Sequence, residues 1–162
     1  MLQELVEGHV PQRIMVGVGP GSFTGLRIGI AAAHGLAIGW DVTLTGFPSL
    51  ALLAVGAPGG DPVVAAVKGG HGELFLQEFA RRPFAAKGKV MNLSPTDAAR
   101  ATEAHFAVGN GATALVDARG SGEAMDLLPA AVHVLKLPQA MLTLEPKPIY
   151  ARAPDAKPAQ AA

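Results

Sequence analysis

The sequence Gly-Pro-Gly-Ser-Phe-Thr-Gly-Leu-Arg-Ile-Gly at residues 19–29 joins a short apolar run to a longer helical pattern. Residues 14–18, Ile-Met-Val-Gly-Val, form a continuous apolar stretch that is typical of a buried strand. Residues 26–38 carry apolar side chains at helical spacing, and Gly39 is a helix stop signal. The stretch therefore predicts a strand, a glycine-rich loop and a helix, as expected in an α/β protein.

Outward from this unit, residues 42–45 predict a second strand and residues 50–55 a short helix. The Pro/Gly-rich residues 57–62 then interrupt all periodicity, so we expect two lobes there. The predicted division has three parts: a first lobe at 1–57, a second lobe at 58–152 and a disordered tail at 153–162.

In the second half, residues 63–67 and 73–79 predict a hairpin of two strands around a glycine turn. Ser94 predicts the cap of a helix that runs to about Ala104. Three further elements are expected: a strand at 106–108, a helix from about 112 to 118 and a last strand at 131–137. The basic residues after the hairpin are interpreted as a solvated loop, with contact to tRNA or to an acidic partner surface as the alternative: Arg81, Arg82, Lys87 and Lys89.

Composition excludes several classes of function. The chain has 13 Lys and Arg against 13 Asp and Glu, so no overall positive field holds nucleic acid. The absence of Cys excludes disulfides, thiolate metal sites and a cysteine nucleophile. No apolar run reaches the ~18 residues of a membrane span, so a cytoplasmic protein without membrane contact is expected. The five His show no metal-ligand spacing, so no metal is predicted.

The glycine loop fits neither common phosphate-binding pattern. From Gly17, the sixth position of a dinucleotide-binding motif is Ser22 instead of Gly, and Gly25 lacks the Lys that follows in a P-loop. Two interpretations stay open: Ser22 or Thr24 caps the helix, or the loop binds an anion weakly. The residues concerned are Gly19, Gly21, Ser22, Thr24 and Gly25.

The predicted helix carries two stripes of small residues, one at positions 25, 29, 33 and 37 and the other at positions 31, 35 and 39. A glycine inside a helix costs up to ~1 kcal/mol relative to alanine, so several of them indicate close approach of another backbone. One stripe is explained by packing of the helix against the chain's own sheet. The second indicates either further internal packing or a neighbouring subunit, which would then meet Arg27 and His34.

The unbroken stretch at 19–29, followed by Gly-Leu-Ala at 35–37, resembles the signature of the TsaB (YeaZ) family. Three further segments are similar to that family: Gly-Glu-Leu-Phe at 72–75, Val-Gly-Asn-Gly-Ala at 108–112 and Pro-Ile-Tyr-Ala-Arg at 148–152. The resemblance thus covers nearly the whole chain. Compared with the family pattern, an opening strand, a hairpin and the start of the first helix are absent before Met1, so an incomplete first lobe is expected.

The resemblance implies a two-lobed relative of the actin-like ATPase and sugar kinase (ribonuclease H-like) fold that has no catalytic residues and no cofactor. It implies a scaffold subunit in the synthesis of threonylcarbamoyladenosine beside the tRNA anticodon. The expected partners are the catalytic subunit TsaD and the ATPase TsaE, with a homodimer through the same surface and with tRNA contacted only indirectly. The expected partner-binding residues are Leu2, Leu5, Arg27, Ile30, Ala31, His34 and Gly35.

The residues also leave a different class of function open. A small nucleotide-binding or hydrolytic, glycoprotease-like enzyme could use the glycine loop as an anion cradle. Calorimetry with ATP and ADP distinguishes the two classes, because micromolar binding by the isolated chain would favour the enzyme.

Overall fold

The computed structural model describes residues 8–151. The described strands are β1 (Arg13–Gly17), β2 (Thr43–Phe47), β3 (Val63–Lys68), β4 (Leu74–Arg81), β5 (Phe84–Leu93), β6 (Phe106–Val108) and β7 (Glu123–Met125). The helices are α1 (Phe23–Trp40), α2 (Ser49–Gly56), α3 (Pro95–Ala101) and α4 (Ala112–Arg119). Short 3-10 turns lie at Gly70–Gly72, Ala131–Lys136 and Gln139–Met141. Within this part of the chain, no helix is long and apolar enough to cross a membrane.

The first unit is the predicted strand, glycine loop and helix, followed by a parallel strand. Strands β1 and β2 pair in parallel from Arg13–Thr43 to Gly17–Phe47, with α1 as the crossover. The helix is longer than the sequence predicts, because it begins at Phe23 and passes through Gly39 to Trp40. It ends where Asp41 takes a left-handed conformation and its N–H bonds back to the carbonyls of Ala37 and Ile38.

The second half forms a five-stranded sheet in the order β5-β4-β3-β6-β7. Strands β3, β4 and β5 are antiparallel neighbours, whereas β3, β6 and β7 run parallel. Because side chains alternate along a strand, the buried residues of β3 contribute to the core on both faces of the sheet. Val63 and Ala65 pack on the side of α2, and Val64 and Ala66 pack on the side of α3 and α4.

Helix α2 is apolar all round and is buried accordingly. Leu50 and Leu53 share a core cluster with Val63 and Phe79 of the five-stranded sheet. The helix that closes the predicted first lobe therefore packs against the sheet of the predicted second lobe. The division at 57/58 stays a prediction, and the predicted tail at 153–162 lies outside the described residues.

Several sequence predictions for the second half are wrong. Residues 131–136 form a 3-10 turn rather than a strand, because they pack against α2, where the His133 ring adjoins Gly56. Of the predicted basic loop, Lys87 and Lys89 instead lie on the ten-residue edge strand β5 and Arg81 ends β4, whereas Arg82 lies on the exposed turn between them. Helix α3 ends at Ala101, short of the predicted Ala104, and β7 was not expected at all.

Arg81, also assigned to that loop, ties β4 to the connection between α2 and β3. Its guanidinium donates to the carbonyl oxygens of Ala57 and Gly59 at 2.7 and 2.8 Å. We expect Arg81→Ala to lower the free energy of unfolding by about 1–3 kcal/mol, because these carbonyls lose charge-assisted bonds. Urea denaturation followed by circular dichroism measures this. Arg82→Ala, at an exposed neighbouring position, is the matched control, and equal losses in both variants would contradict the assignment.

Residues 143–150 cross the first unit as an extended segment that we call the C-terminal strap. Leu144 exchanges two backbone hydrogen bonds with Gly46 of β2, and the Ile149 N–H donates to the Val18 carbonyl at 2.7 Å. On its exposed side, Lys147 donates a hydrogen bond to Glu145 at 2.7 Å, which lowers the pKa of that carboxyl. The strap thus joins the far end of the chain to β1, β2 and, as described below, α1.

Candidate partner-binding face

The glycine loop is held by the chain's own groups. The Ser22 Oγ accepts from the N–H of Gly25 at 3.3 Å, which makes Ser22 the helix cap and resolves the choice between Ser22 and Thr24. The Gly19 N–H donates to the Ser49 Oγ at 3.1 Å. Gly19 has a φ of 108°, and a Cβ there would lie 3.0 Å from the Ile149 carbonyl oxygen. A Cβ added at Gly21 would contact only the Leu26 side chain among the described residues. These contacts favour a structural loop.

Helix α1 has one narrow buried side and one wide exposed side. Ile30, Ala33 and Ala37 pack inward, and Ile30 is only 6% exposed. Ile30 is therefore wrong as a partner-binding residue: it lies on the buried side of the helix, about 100° around the axis from Ala31 and about 140° from Gly35. Ala31, His34 and Gly35, by contrast, are all exposed.

The exposed side of α1 is mostly apolar. Ile28 is 65% exposed and Ile38 is 80% exposed, although both are large aliphatic side chains. A Cβ placed on Gly29, Gly35 or Gly39 would meet no atom of the described residues within 4 Å. Nothing in the packing of residues 8–151 therefore requires these three glycines. We call this surface the α1 face; it comprises Ile28, Ala31, Gly35, Ile38 and Gly39, with Arg27 at its amino-terminal end.

Arg27 contacts two aromatic rings. Its guanidinium carbon is 3.9 Å from the centre of the Phe23 ring and 5.6 Å from that of Tyr150 in the strap. The Arg27 Nε donates to the Tyr150 hydroxyl at 2.8 Å. Further along the helix, the His34 Nε2 approaches the Pro146 carbonyl at 3.4 Å. The strap therefore contacts α1 at Arg27 and at His34, along one border of the α1 face.

Sequence reasoning missed four contributors to this surface, namely Phe23, Ile28, Ile38 and Tyr150. Phe23 and Arg27 are one turn apart, a spacing that predicts contact on a helix. Ile28 and Ile38 could have been found by plotting α1 at 100° per residue. Tyr150 is 123 residues away from its partner Arg27, and no local pattern indicates that pairing. The predicted residues Leu2 and Leu5 lie outside the described part of the chain.

A concave surface lies at the amino ends of β3, β6 and β7. This shallow cleft of about 340 Å³ is lined by Asp61, Glu103, His105 and Glu123, among others. Asp61 accepts a hydrogen bond from the Arg81 N–H, and His105 lies 3.9 Å from Glu123. Across residues 8–151, no three or more His, Asp or Glu side chains are grouped closely enough to hold a metal ion.

The comparisons with known proteins agree with this architecture. A family model described as "TsaD: tRNA N6-adenosine threonylcarbamoyltransferase" matches residues 9–142. The chain is 44% identical over 68 residues to the tRNA threonylcarbamoyladenosine biosynthesis protein TsaB of Escherichia coli K12. The chain belongs to the TsaD family and, within it, to the TsaB (YeaZ) proteins. The resemblance carried by residues 19–29 is thereby confirmed.

Solved structures extend the match over most of the chain. YeaZ from Pseudomonas aeruginosa superimposes with a TM-score of 0.76 at 27% identity, covering 92% of this chain and 81% of that one. A Pseudomonas aeruginosa protein described as similar to peptidase YEAZ gives 0.73 at 27% identity, with 94% and 81% covered. The predicted actin-like, ribonuclease H-like fold of the TsaB family is confirmed. The stretch aligned with Escherichia coli TsaB spans 40% of this chain and 29% of that relative.

Proposed function

We propose that this TsaB-type chain acts in tRNA threonylcarbamoyladenosine biosynthesis as a non-catalytic subunit that pairs with TsaD through the α1 face. The observation that carries the proposal is that the α1 face exposes large apolar side chains and has open space beside its glycines. Ile28 and Ile38, towards opposite ends of this face, both leave large apolar side chains exposed to water. Gly35 and Gly39 weaken the helix by up to ~1 kcal/mol each, although no contact within residues 8–151 requires a glycine at either position. A second backbone packed closely on this face accounts for both features.

The chemistry of the glycine loop supports a subunit over an enzyme. The Ser22 hydroxyl caps α1 and so is already hydrogen-bonded to the backbone. Gly25 is followed by Leu26, where a P-loop places a lysine that neutralises phosphate charge. TsaD, whose family description names the transferase, is then the subunit that supplies the reaction.

Further partners belong to the same proposal. TsaE joins as a third component, and the α1 face mediates a homodimer when TsaD is absent. With a formal net charge of zero, the chain contacts tRNA only through its partners. The complex works in the cytoplasm.

We expect Ile38→Arg to abolish co-purification with TsaD and to weaken binding at least about tenfold, because it replaces an exposed apolar side chain of the interface with a charge. Co-expression of tagged TsaD with each variant, followed by calorimetry on the purified chains, measures this. Leu135→Arg is the matched control, since Leu135 is 76% exposed and lies on the turn at 131–136, away from α1.

Three outcomes are informative. Loss of pairing in Ile38→Arg with retention in Leu135→Arg supports the proposal. Equal binding of the wild-type chain and both variants contradicts the α1 face as the contact. Micromolar binding of ATP by the isolated chain, with no binding to TsaD, contradicts the subunit role itself and favours a nucleotide-binding enzyme.

A further inference from the structure

The guanidinium of Arg27 is fixed on two sides before any partner arrives. Phe23, one turn earlier in α1, lies under it at 3.9 Å, and the Tyr150 hydroxyl accepts its Nε–H at 2.8 Å. The two rings also contact each other, with centres 5.5 Å apart. Stacking and one hydrogen bond therefore hold a side chain that would otherwise sample many rotamers.

The two terminal nitrogens of Arg27 are the donor groups that a partner can still bind. Among residues 8–151, Nη1 and Nη2 have no hydrogen-bond or ion-pair partner, and the residue is exposed. A guanidinium with Nε occupied still offers a planar edge of N–H donors that fits two acceptor oxygens at once. Since the side chain is already ordered, binding an anion there loses less conformational entropy than binding to a free arginine.

The surroundings indicate which anion fits. Helix α1 contains no acidic residue between Phe23 and Trp40, so its own surface does not neutralise Arg27. The neighbouring positions of the α1 face are apolar or glycine, and the one other titratable side chain on the helix, His34, faces the Pro146 carbonyl. A nucleic-acid backbone requires several cations in a row. A single ordered arginine beside an apolar surface instead complements one carboxylate of a docking protein.

We propose that Arg27 is a preformed receptor for an Asp or Glu side chain of the protein that packs on the α1 face, and that Tyr150 is its positioning residue. This inference rests on the proposed pairing with TsaD and specifies the chemistry of its contact. It also gives the strap a role: the far end of the chain supplies the group that orients the interface arginine.

The test is calorimetry of TsaD binding at low and high salt. We expect Arg27→Ala to weaken binding about tenfold at low salt, with a smaller difference at high salt, because an exposed ion pair is screened. Arg27→Lys should recover only part of the affinity, since it offers a point charge without the two-pronged edge. Tyr150→Phe should weaken binding by a few-fold, and it should add nothing in the Arg27→Ala background. Arg82→Ala, at an exposed arginine on the β4–β5 turn, is the control.

A charge reversal identifies the acceptor directly. Arg27→Glu should abolish pairing, and changing one Asp or Glu of TsaD to Lys should restore it. Unchanged affinity in Arg27→Ala, while Ile38→Arg still abolishes pairing, overturns the carboxylate receptor and leaves the proposed function intact. Unchanged affinity in both variants overturns the α1 face as well. If Arg27→Ala lowers the affinity for tRNA alone, the acceptor is a phosphate and the inference is wrong.

Discussion

Gly109→Ala is expected to lower the free energy of unfolding by about 3 kcal/mol or more. Gly109 follows β6 with a φ of 111°, a conformation that side-chain-bearing residues rarely adopt. A Cβ there would overlap the backbone carbonyl of Ala66 in the neighbouring strand β3. The backbone of β3 cannot move aside as a flexible side chain can. The strain of the positive φ and the steric overlap with Ala66 therefore both lower the stability. Urea denaturation followed by circular dichroism gives the change.

Gly120→Ala separates the two contributions. Gly120 also has a positive φ, 74°, but a Cβ there would meet nothing within 4 Å. Its loss should be only about 1 kcal/mol, the cost of the left-handed conformation alone. A Gly109→Ala variant no less stable than Gly120→Ala would show that β3 and β6 can separate without penalty, contrary to the packing described here.

The result bears on how residues 108–112 are interpreted. The Gly109 N–H bonds to the Met125 carbonyl of β7, and the Gly111 N–H bonds to the Ala66 carbonyl of β3. The two glycines therefore let the chain turn tightly at the carboxyl ends of three parallel strands. A structural requirement of this kind explains the segment without a bound ligand.

Local sequence signals predicted the elements that local interactions determine. The apolar run 14–18, the Ser22 cap and the helical spacing of α1 all act within a few residues, and the strand–loop–helix order is confirmed. Strand β5 was missed because half of it is solvent-exposed and lacks apolar alternation, so its pairing with β4 decides its conformation. The apolar run 131–137 was assigned as a strand, yet it packs on α2 as a 3-10 turn. Tertiary contacts overrode its composition.

In the candidate site, too, local sequence signals predicted some features, whereas others depend on tertiary contacts. The small-residue stripe at 31, 35 and 39 indicated a second neighbour for α1, and the open space beside Gly35 and Gly39 is consistent with one. Helical geometry alone could have placed Ile30 on the buried side. The pairing of Arg27 with Tyr150 could not be foreseen, because it depends on the path of the strap across β1 and β2.

That path depends on a second glycine, Gly46 in β2. A Cβ at this position would lie 2.5 Å from the Cγ1 of buried Val18 and 3.0 Å from the Glu145 carbonyl oxygen of the strap. The Gly46 N–H also donates to the Leu144 carbonyl at 2.7 Å. Strap and core thus meet at a point where no side chain fits.

We expect Gly46→Val to lower the free energy of unfolding by about 2–4 kcal/mol and to release the strap, because the added methyl groups displace either Val18 or the strap backbone. Hydrogen exchange should show faster exchange at the Ile149 amide, whose bond to the Val18 carbonyl depends on that docking. Thr43→Val, an exposed β-branched replacement in the same strand, should leave exchange unchanged. Protected strap amides in Gly46→Val would contradict this account. Since the strap carries Tyr150, its release should also weaken TsaD binding as Tyr150→Phe does, which would connect a buried glycine of β2 to the surface of α1.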